Sequence, residues 1–383
     1  MTEGPIAVAK SLGDQAITAV GDPRVYGTLM HHGVGGLPLL TSWRDERRAV
    51  TEARAQAAAA FEAVLHAPPA MELIGIDVTD AALNALRRLA LRSIPWLAPE
   101  RDAIAAAIGA VQPRTLVMAS DQHRLGRLAT ALAAERGLET VVVQHGLPQT
   151  RIGMIPVVAG CLAVWSRDSY EWFVREGTPS AKLCVTGDPR MEMHRRVTER
   201  AERSILLLAL SPTDETVNRA VVRLALGMRQ VWPQAPRLVV KLHPGHRDWK
   251  WVSDEVGTQQ GVSVLHREPL EPLLQQALAT VVLRSTVALE ALAFGSPIIS
   301  VCVPGGVSTA DHELKSMRIP VAASPQELRS IVQSMLDEHH RHNYFNERSA
   351  EITSLLGEIE GAAARVAALA RGIGCPGASA HPM

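Results

Sequence analysis

Two short stretches carry residue types that could hold a phosphate: Lys241-Leu242-His243-Pro244-Gly245, and Arg284-Ser285-Thr286-Val287-Ala288-Leu289-Glu290-Ala291 further on. Each begins where a run of β-branched residues ends. A helix that starts just after a strand exposes unpaired amides and the positive end of its dipole, which favours an anion, and hydroxyls beside it add donors. Ser285 and Thr286 stand at such a start, although a Ser/Thr pair there also serves as an ordinary helix cap. Glu290, one turn on, could accept bonds from ribose hydroxyls or simply complement the helix dipole. His243 titrates near neutrality and could donate to a phosphate oxygen or protonate a leaving group. Pro244 and Gly245 turn the chain at the strand end, and Lys241 and His246 add positive potential.

A second constellation lies earlier. Asp121 and His123 follow the apolar run 114–120, and Gln144-His145-Gly146-Leu147-Pro148 follows the run 140–144. Glycine lets the backbone approach a ligand and proline stiffens the exit. His145 and Asp121 compete as the base, with Asp121 alternatively orienting His145. Ser211 and Thr213 occupy the matching place after the run 204–210.

These positions depend on strands that deliver them. From residue 71 onward, apolar runs at 71–78, 114–120, 140–144, 160–165 and 183–185 alternate with helical stretches at 81–92, 99–111, 122–136 and 168–176. The run 114–120 is unbroken and reads as a fully buried strand. A second series has strands at 204–210, 237–241, 262–265, 280–283 and 297–303. Alternation of this kind predicts parallel βαβ units with helices on both faces, and ligands in such sheets sit outside the carboxyl ends of the strands. The α/β chain of 383 residues therefore divides into a first domain at 1–190, a second at 191–345 and a tail at 346–383. Helices are expected over 325–372, two or three in number, and disorder over 375–383. Residues 1–70 are the least legible part, apart from an alanine-rich helical stretch at 45–66.

Composition removes several classes. Apolar residues are 47% and charged residues 20% of the chain, which suits a globular protein. Lys plus Arg equals Asp plus Glu at 39 each, so no overall field draws it to nucleic acid or lipid, and any membrane contact would be peripheral. No leader-like start and no apolar run of membrane length occurs, so a cytoplasmic protein is expected. Cys161, Cys184, Cys302 and Cys375 are widely spaced, arguing against a zinc site and a disulfide framework. His339, His340 and His342 read as a solvated helix face. There is no GxxxxGK[ST] loop, no GxGxxG, no HExxH, no GxSxG and no DxD-like pair to hold a divalent metal.

Taken together, QHGLP, KLHPG and RSTVALEALAFGSPII resemble GT-B fold glycosyltransferases, nearest to bacterial surface-polysaccharide enzymes: CDP-glycerol glycerophosphotransferases, capsule Kdo transferases and polysialyltransferases. UDP-N-acetylglucosamine 2-epimerase is a structural cousin of these. The resemblance covers roughly residues 71–335. It implies two Rossmann-like doubly wound parallel-sheet domains facing across a cleft, the first an acceptor-side domain and the second a nucleotide-donor domain. It also implies an inverting transferase that moves a sugar or polyol phosphate from a nucleotide-activated donor to a saccharide-like or natural-product acceptor. No cofactor and no metal would be required. By resemblance His145, with Gln144, Gly146 and His123, lies on the acceptor side. His243 with Pro244 and Gly245, Ser285 with Thr286, and Ser211 and Thr213 hold the donor phosphates, and Glu290 grips the ribose. Gly187-Asp188-Pro189-Arg190 matches the turn that closes the first lobe. The alternatives are a UDP-sugar 2-epimerase or hydrolase, and a non-catalytic nucleotide-binding or scaffold protein.

Overall fold

The computed structural model describes residues 3–20, 29, 33–35, 37–38, 43–66, 70–73, 76–148, 150–195, 202–210, 215–243, 249–282, 287–303, 307–308 and 317–372. Two parallel sheets organise it. The first contains β1 (Thr115–Met118), β2 (Glu139–Val143), β3 (Cys161–Val164) and β4 (Leu183–Val185), side by side in chain order and all parallel. The second contains β5 (Ile205–Ala209), β6 (Arg237–Lys241), β7 (Val262–Leu265), β8 (Ala277–Val281) and β9 (Ile298–Val303). The two-residue strands β10 (Val307–Ser308) and β11 (Val321–Ala322) both pair with β9, the first antiparallel and the second parallel.

The second sheet runs β7-β6-β5-β8-β9-β11, so the chain first steps outward from β5 to β7 and then crosses back to β8. That reversal places a crevice between the carboxyl ends of β5 and β8, where a doubly wound sheet binds ligands. Every residue of β5 and β8 is buried, as expected for strands covered by helices on both faces.

Three expectations require correction. Residues 71–78 do not form a strand of the first sheet: Glu72–Leu73 and Ile76–Asp77 pair with each other, antiparallel. The charged Glu72 and Asp77 within the run suit an exposed ribbon and not a parallel strand buried on both faces. β1 is half-buried throughout instead of fully buried; among the described residues β2 is its one strand neighbour, so it is the outermost described strand of its sheet. The region 325–372 holds four helices: Pro325–Ser334, Glu338–Asn346, Ser349–Leu356 and Ala362–Ala370.

The last of these helices returns to the first lobe. Val366 and Ala367 pack with Val8 of the helix Glu3–Leu12 and with Val141, Val143 and Ala163 of the first sheet. The Thr115 hydroxyl donates to the Ala370 carbonyl at 2.7 Å, and the Ala363 amide donates to Glu192 at 2.8 Å. Between the lobes the core is continuous. Leu147 and Trp165, just past β2 and β3, belong to the same buried cluster as the strands of the second sheet. Gly357 makes this seam possible: its φ is +66°, and a Cβ there would lie 2.1 Å from the Trp165 carbonyl oxygen.

Cys184, 2% exposed, is disulfide-bonded, against the expectation of a chain without disulfides; Cys161 and Cys302 are not in disulfides. His339, His340 and His342 are exposed on their helix, and no metal-binding group of three ligands occurs among the described residues.

Candidate functional site

Five predicted residues converge at the carboxyl edge of β1 and β2. Asp121 lies past β1 and is 4% exposed. Its Oδ2 accepts hydrogen bonds from the Val158 and Ala159 amides at 2.6 and 2.9 Å, and its Oδ1 accepts one from the Gln122 side chain at 3.0 Å. This carboxylate therefore anchors the 156–160 loop. The helix Arg124–Glu135 can lie close against Asp121 because residue 126 is glycine; a Cβ there would come within 1.9 Å of the Ser120 carbonyl oxygen.

Gln144 immediately follows β2 and is 4% exposed. Its amide nitrogen donates to the Gly146 carbonyl at 2.8 Å and to Ser169 Oγ at 3.1 Å, while its oxygen accepts from the Trp165 amide at 2.9 Å. All of its bonds bind the His145 turn to β3 and to the start of the next helix. Ser166, which caps that helix by accepting from the Ser169 amide, completes the brace.

His145 stands on this platform, half-buried, 6.1 Å between ring centroids from the exposed His123. Burial, and then the neighbouring His123, push its pKa below the ordinary histidine value; Asp121 and a hydrogen bond to the Ala119 carbonyl act against them. The imidazole is thus neutral at pH 7 and able to accept a proton. With Asp121 and Gln144 it lines a small recess floored by Met154, Leu162 and Phe173.

The second lobe presents different residues. Lys241, at the end of β6, is 6% exposed and donates to the carbonyls of Leu242 at 3.0 Å and His266 at 2.9 Å. Burial lowers its pKa, with Glu268 and Glu271 opposing. Its ammonium ties β6 to the segment after β7, a different task from the surface potential expected of it. His243, two residues past β6, is exposed at the carboxyl edge of the sheet. Pro244, Gly245, His246, Ser211, Thr213, Ser285 and Thr286 lie outside the described residues.

Glu290, on the helix Val287–Ala293, meets Arg190 at 3.1 Å with both side chains largely buried. Arg190 also reaches Asp188 at 3.3 Å and lies 5.6 Å over the Trp165 ring. Asp188 is 3% exposed; burial raises its pKa, and Arg190 counters that by charge and by hydrogen bonds. An ion-paired row, Asp188–Arg190–Glu290, therefore spans from the end of the first lobe to the helix that follows β8. Sequence reasoning treated Gly187-Asp188-Pro189-Arg190 as a turn and missed the role of Arg190. An arginine two residues from an aspartate was the available signal, but its third partner is a hundred residues away.

No protein-family model matches the sequence, and no curated protein sequence matches it. Among solved structures, the chain is similar to a UDP-bound complex of Staphylococcus aureus MnaA, with 11% identity over 97% of this chain and 94% of that one, TM-score 0.62. A putative UDP-N-acetylglucosamine 2-epimerase from Listeria monocytogenes gives 11% identity, 97% and 93% coverage, and TM-score 0.64. The Neisseria meningitidis UDP-GlcNAc 2-epimerase bound to UDP-GlcNAc gives 13%, 97% and 96%, and 0.61. These matches run nearly end to end on both chains. They overturn the reading of the chain as a glycosyltransferase acting on a saccharide acceptor, which rested on short motifs. Two of these three neighbours are 2-epimerases by name. The fold is GT-B: two parallel-sheet α/β lobes whose buried core runs from one to the other through Leu147 and Trp165.

Proposed function

We propose that this protein binds a UDP-sugar and acts on the sugar itself, as a 2-epimerase or hydrolase of the UDP-N-acetylglucosamine type. The observation that carries this reading is the end-to-end likeness to 2-epimerases, one of them holding UDP-GlcNAc.

The chemistry available at the site is consistent with it. Inverting or hydrolysing such a substrate needs an unprotonated base near the sugar and a proton or positive charge near the leaving diphosphate. His145, uncharged at pH 7 and braced by Gln144, suits the first task. Asp121, with both oxygens engaged by internal donors, suits positioning better than proton transfer. His243, in the open at the carboxyl edge of the nucleotide-type sheet, suits the second task.

The test is incubation with UDP-N-acetylglucosamine and no acceptor, followed by proton NMR. The expected products are the C2-epimeric nucleotide sugar, or free UDP with the released sugar. His145→Gln is expected to lower turnover about a hundredfold, the usual contribution of a positioned base. Unchanged substrate, together with no rise in melting temperature on adding UDP, would remove the proposal, since a ligand bound by the native state stabilises it.

A further inference from the structure

Arg190 is held by more partners than a lobe connector needs. Asp188 Oδ1 accepts the Arg190 amide at 2.9 Å, which caps the helix Pro189–Arg195 and fixes where the arginine side chain leaves the backbone. The guanidinium then divides its fork, one nitrogen 3.3 Å from Asp188 and the other 3.1 Å from Glu290. Its carbon lies 5.6 Å from the centre of the Trp165 ring, within the range at which a cation is attracted to an aromatic face.

Trp165 is fixed from its other sides as well. The residue is 2% exposed and belongs to the core that the two lobes share. Its carbonyl oxygen packs so closely on Gly357 that a Cβ there would lie 2.1 Å away, and its amide donates to Gln144 Oε1 at 2.9 Å. Gln144 in turn donates to the Gly146 carbonyl at 2.8 Å, and His145 stands between those two residues in the chain. Every link from Glu290 to the His145 turn is therefore an ion pair, a ring contact or a hydrogen bond among largely buried groups. A close-packed interior passes on a displacement because it has no slack to absorb it. One end of this route, Glu290, is on the helix that follows β8, beside the crevice of the nucleotide-type sheet. The other end is the imidazole at the recess of the first lobe.

The geometry points to Arg190 as a positioning residue that, through Trp165 and Gln144, sets the place of the His145 imidazole from the second lobe. The inference rests on the reading of His145 as the base.

Arg190→Lys tests it, because lysine keeps a charge between Asp188 and Glu290 but is a point charge that cannot serve both carboxylates and the ring together. With UDP-N-acetylglucosamine as substrate, kcat should fall about tenfold or more, as for a base displaced by part of an ångström, while KM changes less than about twofold. In a His145→Gln background the same substitution should change kcat by less than about twofold, since residues that act as a unit are not additive. Equal losses of kcat with and without His145 overturn the proposal and leave Arg190 a stabiliser of the seam. Histidine ring signals in the proton NMR spectrum give a reading that needs no turnover, with that of His145 assigned by its loss in His145→Gln. Arg190→Lys should move the His145 signal and leave those of the exposed His339, His340 and His342 in place; an unmoved His145 signal overturns the proposal. Parent protein that neither converts UDP-N-acetylglucosamine nor binds UDP removes the proposed function instead, and the ring signals then decide whether Arg190 positions His145. Where Arg190→Lys does not fold cooperatively, Trp165→Phe, which alters the next link of the same route, takes its place with the same expectations.

Discussion

The carboxyl edges of the two sheets follow the same rule of topology and use their polar residues differently. In the first lobe Asp121 holds the amides of Val158 and Ala159, and Gln144 holds the Gly146 carbonyl and the Trp165 amide, so that one imidazole, His145, is held on a fixed platform. In the second lobe the buried Lys241 ties β6 to the segment after β7, and His243 is exposed two residues past β6. The scaffolds beneath them are alike: β1 and β7, each the outermost described strand at one edge of its α/β sheet, are half-buried, while β2, β5 and β8 are buried at nearly every residue. Rigidity of a sheet and rigidity of its site are separate properties, obtained from different residues.

That contrast can be broken most severely where the lobes join. Replacing Arg190 by methionine leaves Asp188 and Glu290 mostly buried without their cation, and is expected to cost about 3–5 kcal/mol in urea unfolding. A loss below about 1 kcal/mol would mean that the row contributes nothing to holding the lobes together. Next in size, Leu207→Ala in fully buried β5 should cost about 2–5 kcal/mol, and Leu116→Ala in half-buried β1 about 1 kcal/mol. Equal losses would mean that the burial of a strand does not set what it contributes.

The bonded edge is sharpened by Gln144→Leu, which orphans the buried Trp165 amide and is expected to cost about 2 kcal/mol of stability. It should also lower turnover, while the melting curve remains cooperative. The smallest effect concerns pH. The folded pKa of His145 lies below that of the unfolded chain, so below about pH 6.5 the unfolded state takes up the proton first and stability falls with it. Melting temperatures measured from pH 7 to pH 5 should decline less in His145→Gln than in the parent protein. An identical decline would place the acid sensitivity elsewhere.

Much of the scaffold could be read from residue types. The runs at 183–185, 237–241 and 262–265 are strands with those limits, because an unbroken apolar or β-branched run ended by a turn signal has few other places to go. The run at 71–78 misled because its length and aliphatic content fit a strand, while the choice of partner strand is not a local property. The roles of Asp121 and Glu290 were illegible for a related reason. An aspartate after a strand looks the same whether its oxygens face a substrate or two amides in the 156–160 loop, and a glutamate in a first turn gives no sign of an arginine a hundred residues earlier. The choice between transferase and epimerase lay beyond the motifs altogether, since enzymes that share a nucleotide-holding lobe differ in what the other lobe offers the sugar.

The return of Ala362–Ala370 to the first lobe has a consequence for biogenesis. Val8, Val141 and Val143 meet their last packing partners, Val366 and Ala367, only after all of the second sheet has been translated. A ribosome therefore delivers the second lobe in full while the first still lacks a helix, and the lobe made first is the one completed last. Until that helix arrives, the nascent chain carries an uncovered patch of valines, a natural target for a chaperone.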